Sequence, residues 1–504
     1  MAISTAVPAG SVSRASGYQL KKGNFSTSTP YLPQKVVILA EANTANQGTI
    51  VNTPVEITSA AQAGAAYGYG SPMHAIARIL FPASGTGIQV PVYAMAQTAA
   101  VSSTATVIVI TITGTATANK THYLRIAGRT SLDFSTYAIN IVTGDTPTVQ
   151  AGKWVAAINA VLGAPIIASN AAGVLTLTAK WTGASGAGLT AIPDTDGNNA
   201  GVTYVITSNT AGTGTPDIAA ALAQFEDPWY TIVINSYGVT KLAELEAFNG
   251  IPDATNPTGR YSPMEFKPLV AIFGSTEPVS ANIITITNNS ARVPNVTNIL
   301  APAPTSAGMP YEAAANMAML LANISQSTPH LTVAGKSYPD MPVPANNIIG
   351  NMSIYANRDS LRKNGSSTVI LKDGKYQVQD LVTTYHPDGE VPLIFSEARY
   401  LMIDWNIKYG YGILEDSFLK DKAIVDDGQY TNVQDVVTPS AWKAVVFTYL
   451  DTIATLALIV DVQFSKDSVV VEIDPTNPNR FNTTFSYKRS GTAEIESTTV
   501  TVGF

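Results

Sequence analysis

Four groups of side chains in this 504-residue chain have types that could do chemistry, and each can be held against the spacing that chemistry needs. Gly335-Lys336-Ser337 has the residues that close a phosphate-binding loop. That loop requires a glycine five positions before Gly335, where the chain has His330. Pro339 also disfavours the helix whose amino terminus would hold the phosphates. Gly183-Ala184-Ser185-Gly186-Ala187-Gly188 fits neither a dinucleotide fingerprint nor a nucleophile elbow, which would need glycine at 187, and reads as a turn. The four histidines, His74, His122, His330 and His386, are scattered and have no thiolate to join them in a metal site. Glu415-Asp416, Asp426-Asp427 and Asp373 could pair for acid–base work or a divalent cation. They lack calcium-loop spacing and read better as solvated or salt-bridging acids. The expectation is no catalytic residue, no metal and no cofactor.

The elements that would position such groups follow from periodicity. The run 35–40, apolar from Val36 onward, reads as a buried parallel strand. A short helix is expected at 58–66, and Ser71-Pro72 caps and opens a second, with Met73, Ile76, Ala77 and Leu80 on one face. A strand at 88–95 completes a strand–helix–strand unit, which implies a parallel α/β layer. From 98 to 215 threonine, alanine and glycine dominate, and only nine of 118 residues are charged. Strands are expected there at 107–112, 122–127, 137–142, 174–179 and 202–207, with one helix at 153–162. The α/β style then resumes. Helices are expected at 217–224 (capped by Asp217), 241–248 and 311–323, and strands at 229–235, 269–273 and 296–301. The β-rich stretch therefore interrupts an α/β core, and its two ends should lie close together.

After a proline-rich crossing at 329–350 come strands at 367–371 and 376–385, a helix at 396–422 and another from Pro439. Trp442, Val445, Val446, Tyr449, Ile453 and Leu456 form the core stripe of the latter. Val469, Val471 and Ile473 line one strand and Phe481, Thr483, Phe485 and Tyr487 the next. Thr499 to Phe504 alternates like a strand left without cover, a template for pairing with another chain. Ala493 and Ile495 have the opposite parity to Val500 and Val502, so the strand bulges or buries both faces. The fold class expected is α/β and α+β multidomain. Its parts are an extended amino-terminal arm (1–34), an α/β core (35–97 and 216–365) with an inserted β-rich outer domain (98–215), a carboxy-terminal α+β domain (366–492) and a connector strand (493–504).

Composition narrows the classes. Charged residues make up 13%, against about 25% in an average soluble domain, which suits surfaces that neighbours cover. There is no cysteine, signal peptide or membrane-length apolar run, so no membrane insertion is expected. Net charge of −7 argues against nucleic acid as a partner. Residues 1–35 carry Arg14, Lys21, Lys22 and Lys35 and no acid, while 366–504 hold 11 basic and 19 acidic residues. A basic arm anchored by Ile3, Val7 and Val12 could dock on a neighbour's acidic domain.

The chain resembles the tail sheath proteins of contractile-tailed bacteriophages. The residues that carry this are Gly68-Tyr69-Gly70-Ser71-Pro72-Met73-His74-Ala75-Ile76-Ala77-Arg78, Thr383-Thr384-Tyr385, Glu397-Ala398-Arg399-Tyr400, Asp426-Asp427, Thr438-Pro439, Asp474-Pro475, Asn479-Arg480-Phe481 and the last strand. The resemblance spans about 35–97 and 216–504 and leaves out the insert. It implies a tail-sheath-like fold in a virion protein assembled in the host cytoplasm. It also implies self-association as stacked hexameric rings in a helical polymer around a tail tube protein, with baseplate and tail terminator proteins as further partners. Contraction of the polymer would drive the tube through the host envelope without nucleotide. Arms near 2–25 and 493–502, including Arg14, Lys21, Lys22, Ile495, Val500 and Val502, would add strands to neighbours' sheets, and Lys408, Lys420 or Lys422 would face the tube. The rivals are another self-assembling protein (tail tube, capsid decoration or surface layer) and a multidomain cytosolic hydrolase. A tube protein would normally be shorter and lack the α/β core, and a surface-layer protein would carry a secretion signal.

Overall fold

The computed structural model describes residues 31–129, 135–252, 255–390, 393–429 and 434–502. The expected arm anchors Ile3, Val7, Val12, Arg14, Lys21 and Lys22 lie outside them. The fold is mixed α/β with several sheets.

The run of apolar residues forms β1 (Val36–Glu41), buried along its whole length. It is followed by β2 (Val55–Ile57), α1 (Ala60–Tyr67), α2 (Pro72–Leu80) and β3 (Val92–Gln97). Ser71 caps α2 by accepting from the His74 amide at 3.1 Å, with Pro72 in the first turn. β3 starts later than the expected 88, because Pro91 has no amide to give the ladder.

The next stretch holds β4 (Val107–Thr113), β5 (Lys120–Ile126), β6 (Thr136–Ile141), α3 (Pro147–Asn159), β7 (Ile166–Ala171), β8 (Val174–Ala179), β9 (Ala191–Asp194) and β10 (Thr203–Thr210). They make antiparallel sheets in the orders β10-β4-β8-β7 and β6-β5-β9. α3 packs on strands of both sheets and buries Trp154 and Ile158. It begins at Pro147, not 153, since proline suits a first helical turn. β7 and β9 were not legible as strands. Thr104 and Thr213 form an antiparallel bridge where the chain leaves this region.

Then come α4 (Ala219–Leu222), β11 (Ile232–Asn235), α5 (Leu242–Asn249), β12 (Val270–Ser275), α6 (Ser280–Thr287), β13 (Asn298–Pro302), α7 (Pro310–Ser327) and α8 (Tyr355–Lys363). α4 is shorter than the expected 217–224, with Asp217 accepting from the Ala219 amide at 2.9 Å. The central sheet runs β13-β12-β11-β1-β3-β2, parallel except for β2 at one edge. Alternation sends Val36, Ile38 and Ala40 into the cluster with α2 and α7, and Val37 and Leu39 into the one with α4 and α5.

The remainder holds β14 (Thr368–Lys372), β15 (Lys375–Asp380), α9 (Ala398–Phe418), β16 (Ala423–Ile424), β17 (Val436–Val437), α10 (Pro439–Thr455), β18 (Ile459–Val460), α11 (Val462–Asp467), β19 (Val470–Ile473), β20 (Phe481–Thr484) and β21 (Lys488–Arg489). β15 ends at Asp380, short of the expected 385. Beyond it Thr383 bridges to Ile299 and the Thr384 amide donates to Asn298, so this piece covers the outer edge of β13.

Candidate interaction surface

The carboxy-terminal layer is built on α9 and α10. Ile403 and Ile407 of α9 share a buried cluster with Trp442, Val446, Tyr449, Leu450 and Ile453 of α10, and Val445 and Leu456 pack at its margin. Thr438 accepts from the Ala441 amide and Pro439 opens α10. The two glycines inside α9 have different reasons. A Cβ on Gly410 would stand 2.9 Å from the Tyr449 hydroxyl, which donates to the Ile407 carbonyl at 2.6 Å. Gly410 is therefore a close-packing glycine. A Cβ on Gly412 would meet only the Lys408 ammonium, at 3.6 Å.

The strands around these helices form pairs and stop. β19 pairs with β20, β18 with β21 and β16 with β17, each a two-stranded sheet among the described residues. The β19–β20 loop is held by Asp474, which accepts from the amides of Thr476 and Asn477 and from the Asn482 side chain. The Thr476 hydroxyl, which also donates to it at 2.7 Å, and then these bonds hold its carboxyl down to about 2. The outward residues of β19 include Val470, which is exposed. From Gly491 to Val502 no ladder pairing forms among the described residues. Ile495, Val500 and Val502 are 84%, 76% and 83% exposed. Residues of both parities are thus in solvent.

The lysines expected to face a partner do not share one helix. Lys408 is exposed on α9, but the helix ends at Phe418. Lys420 and Lys422 lie in the turn beyond it, with the Lys422 ammonium 3.9 Å from the Phe418 ring centroid. The sequence also missed the contact that ties β21 to α9. Asp404 accepts from Arg489 Nε at 2.7 Å, from its Nη2 and from the Tyr487 hydroxyl at 2.9 Å. Burial raises the Asp404 carboxyl, with Arg489 pulling the other way. Beside this pair a cleft of about 400 Å³ opens between α9 and the preceding core, lined by Tyr261, Phe266, Trp405, Tyr411 and Phe485 among others.

The groups that could have done chemistry are dispersed. Gly335 and Ser337 join the edge of β15, through the Gly335 amide to Val378 and a bridge from Ser337 to Gln377. His74 Nδ1 accepts from the Gly70 amide, and burial with nearby Arg78 and Lys180 pushes the ring down to about 4. His122 meets the Tyr204 hydroxyl, and His386 donates to the Thr384 carbonyl. Asp427 accepts from the Ser440 amide in the first turn of α10. Among the described residues no group of three or more His, Cys, Asp or Glu could hold a metal ion, and no helix is long and apolar enough to cross a membrane.

Parallel sheets of this kind usually bind ligands beyond the carboxyl ends of their strands, where the winding reverses. Here that crevice, beyond β3, β1 and β11, is filled by the chain itself. Thr44 donates to the Lys180 carbonyl at 2.9 Å, and a Cβ on Gly183 would lie 2.6 Å from Glu41 Oε1. Glu41 is fully buried, neither oxygen is hydrogen-bonded, and burial pushes the carboxyl up to about 8 despite the Ser185 and Ser236 hydroxyls beside it. The stretch that carries β4 to β10 is also fastened by Arg129, which donates to Glu312 at 2.7 Å and Asp340 at 2.6 Å.

No protein-family model matches the sequence, and no curated protein does. Among solved structures the chain is similar to the sheath tail protein of Desulfitobacterium hafniense, with 12% identity and a TM-score of 0.45. The alignment covers 94% of this chain and all of that one. So distant a likeness assigns no role to any residue.

Proposed function

We propose that this protein is a self-assembling structural subunit, and that the polymer it builds is a contractile tail sheath. The observation that carries the reading is the stretch 491–502, where Ile495, Val500 and Val502 stand in solvent on backbone without a ladder partner among the described residues. Large apolar side chains on unpaired backbone form a strand that another sheet can accept. The open edges of the β19–β20 pair, with Val470 exposed, supply an acceptor of the same kind on a second copy. Each backbone hydrogen bond gained contributes roughly 0.5–1.5 kcal/mol net, so five or six make a joint of a few kcal/mol. Such joints repeated through a lattice hold subunits together while they rotate.

The sequence resemblance to tail sheath proteins supports the finer reading. In it, subunits stack as hexameric rings around a tube protein, between baseplate and terminator proteins in a virion, and shorten to drive the tube into a host. The arm residues Ile3, Val7, Val12, Arg14, Lys21 and Lys22 then pair on neighbours, and Lys408, Lys420 and Lys422 are tube-facing candidates. The chain divides for this purpose into the arm, core, insert, carboxy-terminal layer and connector given above.

Negative-stain microscopy of the purified protein tests the reading. Tubes or stacked six-fold rings are expected, and a variant lacking 493–504 should form neither. Uniform monomers at high concentration, or normal polymers without 493–504, would overturn it.

A further inference from the structure

The polypeptide between β21 and Ile495 is fastened at two points by arginines from elsewhere in the chain. Arg399 of α9 donates from Nη1 to the Ser490 carbonyl at 2.8 Å. Four residues on, Glu494 Oε2 accepts from Arg362 Nη2 of α8 at 2.8 Å. After Glu494 no bond to the body of the protein follows among the described residues.

The second fastening is contested. The Arg362 guanidinium also faces Glu397 at 3.1 Å and Asp380 at 3.3 Å, and Glu397 in turn meets Arg399 at 3.4 Å. Three carboxylates thus share two guanidiniums in a partly enclosed corner, with Tyr400 as the further titratable group beside them. Glu494 gains Arg362 but sits against like charge. Consistent with that crowding, the Glu397 carboxyl is raised by burial first and by Glu494 second, with Arg399 and Arg362 opposing.

We propose that Arg362 is a positioning residue for the exposed segment 495–502. It holds Glu494 as a pivot, and competition from Glu397 and Asp380 keeps that hold weak enough to exchange. This rests on the reading of 495–502 as an inter-subunit strand, and deepens it by naming what aims the strand. The competition makes a prediction of opposite sign for two neighbouring residues. Removing the arginine frees the segment. Neutralising Glu397 removes both its claim on Arg362 and its repulsion of Glu494, and so tightens the hold.

The chain has no cysteine, so two nitroxides can be placed at Ser497→Cys and Lys336→Cys in the full-length protein. Distance distributions are measured by pulsed electron resonance on dilute, unassembled subunits. The population at the held distance should fall about two- to fivefold in Arg362→Met and in Glu494→Gln, the factor a partly exposed ion pair supplies. It should rise by a similar factor in Glu397→Gln. Glu494→Gln changes only the segment itself, and so guards against misfolding at Arg362. Unchanged distributions in Arg362→Met and Glu494→Gln, or broadening in Glu397→Gln, would overturn the pivot. Polymer formation is scored separately by microscopy. Absent polymers with the expected distance changes would sink the assembly reading and leave the pivot standing.

Discussion

The central sheet and the carboxy-terminal layer handle the same problem, unpaired strand edges, in opposite ways. The outer edge of β13 is covered by Thr383 and Thr384, and the far edge is the short antiparallel β2. Even the crevice beyond β1 is filled, by the loop around Gly183. Around α9 and α10 the sheets have two strands each, and 491–502 has no ladder partner among the described residues. The core region satisfies itself within one chain. The later region has capacity to spare, and that is where a second copy would find backbone to bond.

This contrast can be broken from the core side first. Arg129→Met should be the most damaging change, because Glu312 is left charged and buried without its partner. A loss of about 3–5 kcal/mol is expected in urea unfolding. Polymer formation by whatever folded fraction remains should persist, since the layer with open edges is untouched.

Glu41 gives the next largest effect, and its sign is opposite. Its folded carboxyl sits at about 8, above the ordinary glutamate value of 4.5. The unfolded chain therefore releases its proton first, and stability falls as pH rises from about 4.5 towards 8. Glu41→Gln removes that slope. At pH 7 the variant should be more stable by roughly 3 kcal/mol, at about 1.4 kcal/mol per pH unit, with little difference near pH 4. Thermal melts across that range check both points, and a wild-type slope unchanged by the substitution would contradict the burial argument.

Smaller effects separate the two helix glycines. Gly410→Ala presses a methyl against Tyr449 and should cost about 1–3 kcal/mol as an overpacked site. Gly412→Ala has room and should stabilise by up to about 1 kcal/mol through helix propensity. Equal effects would mean that α9 and α10 do not pack as closely as the Tyr449–Ile407 bond requires. The smallest effect on stability should come from deleting 493–504. A change within about 0.5 kcal/mol is expected in the unassembled subunit, as for exposed surface generally. The same deletion should abolish polymers, which would place the segment's contribution between copies.

Local chemistry was legible at the helix starts where a capping hydroxyl is followed by proline. Ser71-Pro72 and Thr438-Pro439 fix helix starts through hydroxyls three residues from the amides they accept. The unbroken apolar run from Val36 to Ala40 and the periodic stripe from Trp442 to Ile453 announce burial from the sequence pattern. Gly70 is a partial case. Its positive φ marks a turn, but only the fold brings the Ala164 carbonyl to 2.2 Å from where a Cβ would stand. The contacts that fasten the molecule were not legible. Arg129 is 183 residues from Glu312 and Arg489 is 85 from Asp404. No spacing rule reaches that far.

The sequence by itself determined where α2 and α10 begin, because capping and the proline that follows the cap act over a few residues. It also set the unbroken apolar run from Val36 to Ala40 and the apolar side chains of Ile495, Val500 and Val502. Tertiary structure alone decided that β1 lies between β3 and β11, with β4 to β10 intervening in the chain, since pairing partners are selected by the shape of the closed core. It likewise decided that Glu41 is buried without a hydrogen bond and that Arg362 faces three carboxylates. Those groups meet only because packing of the large apolar faces outweighs the cost of crowding a few charges at their margins.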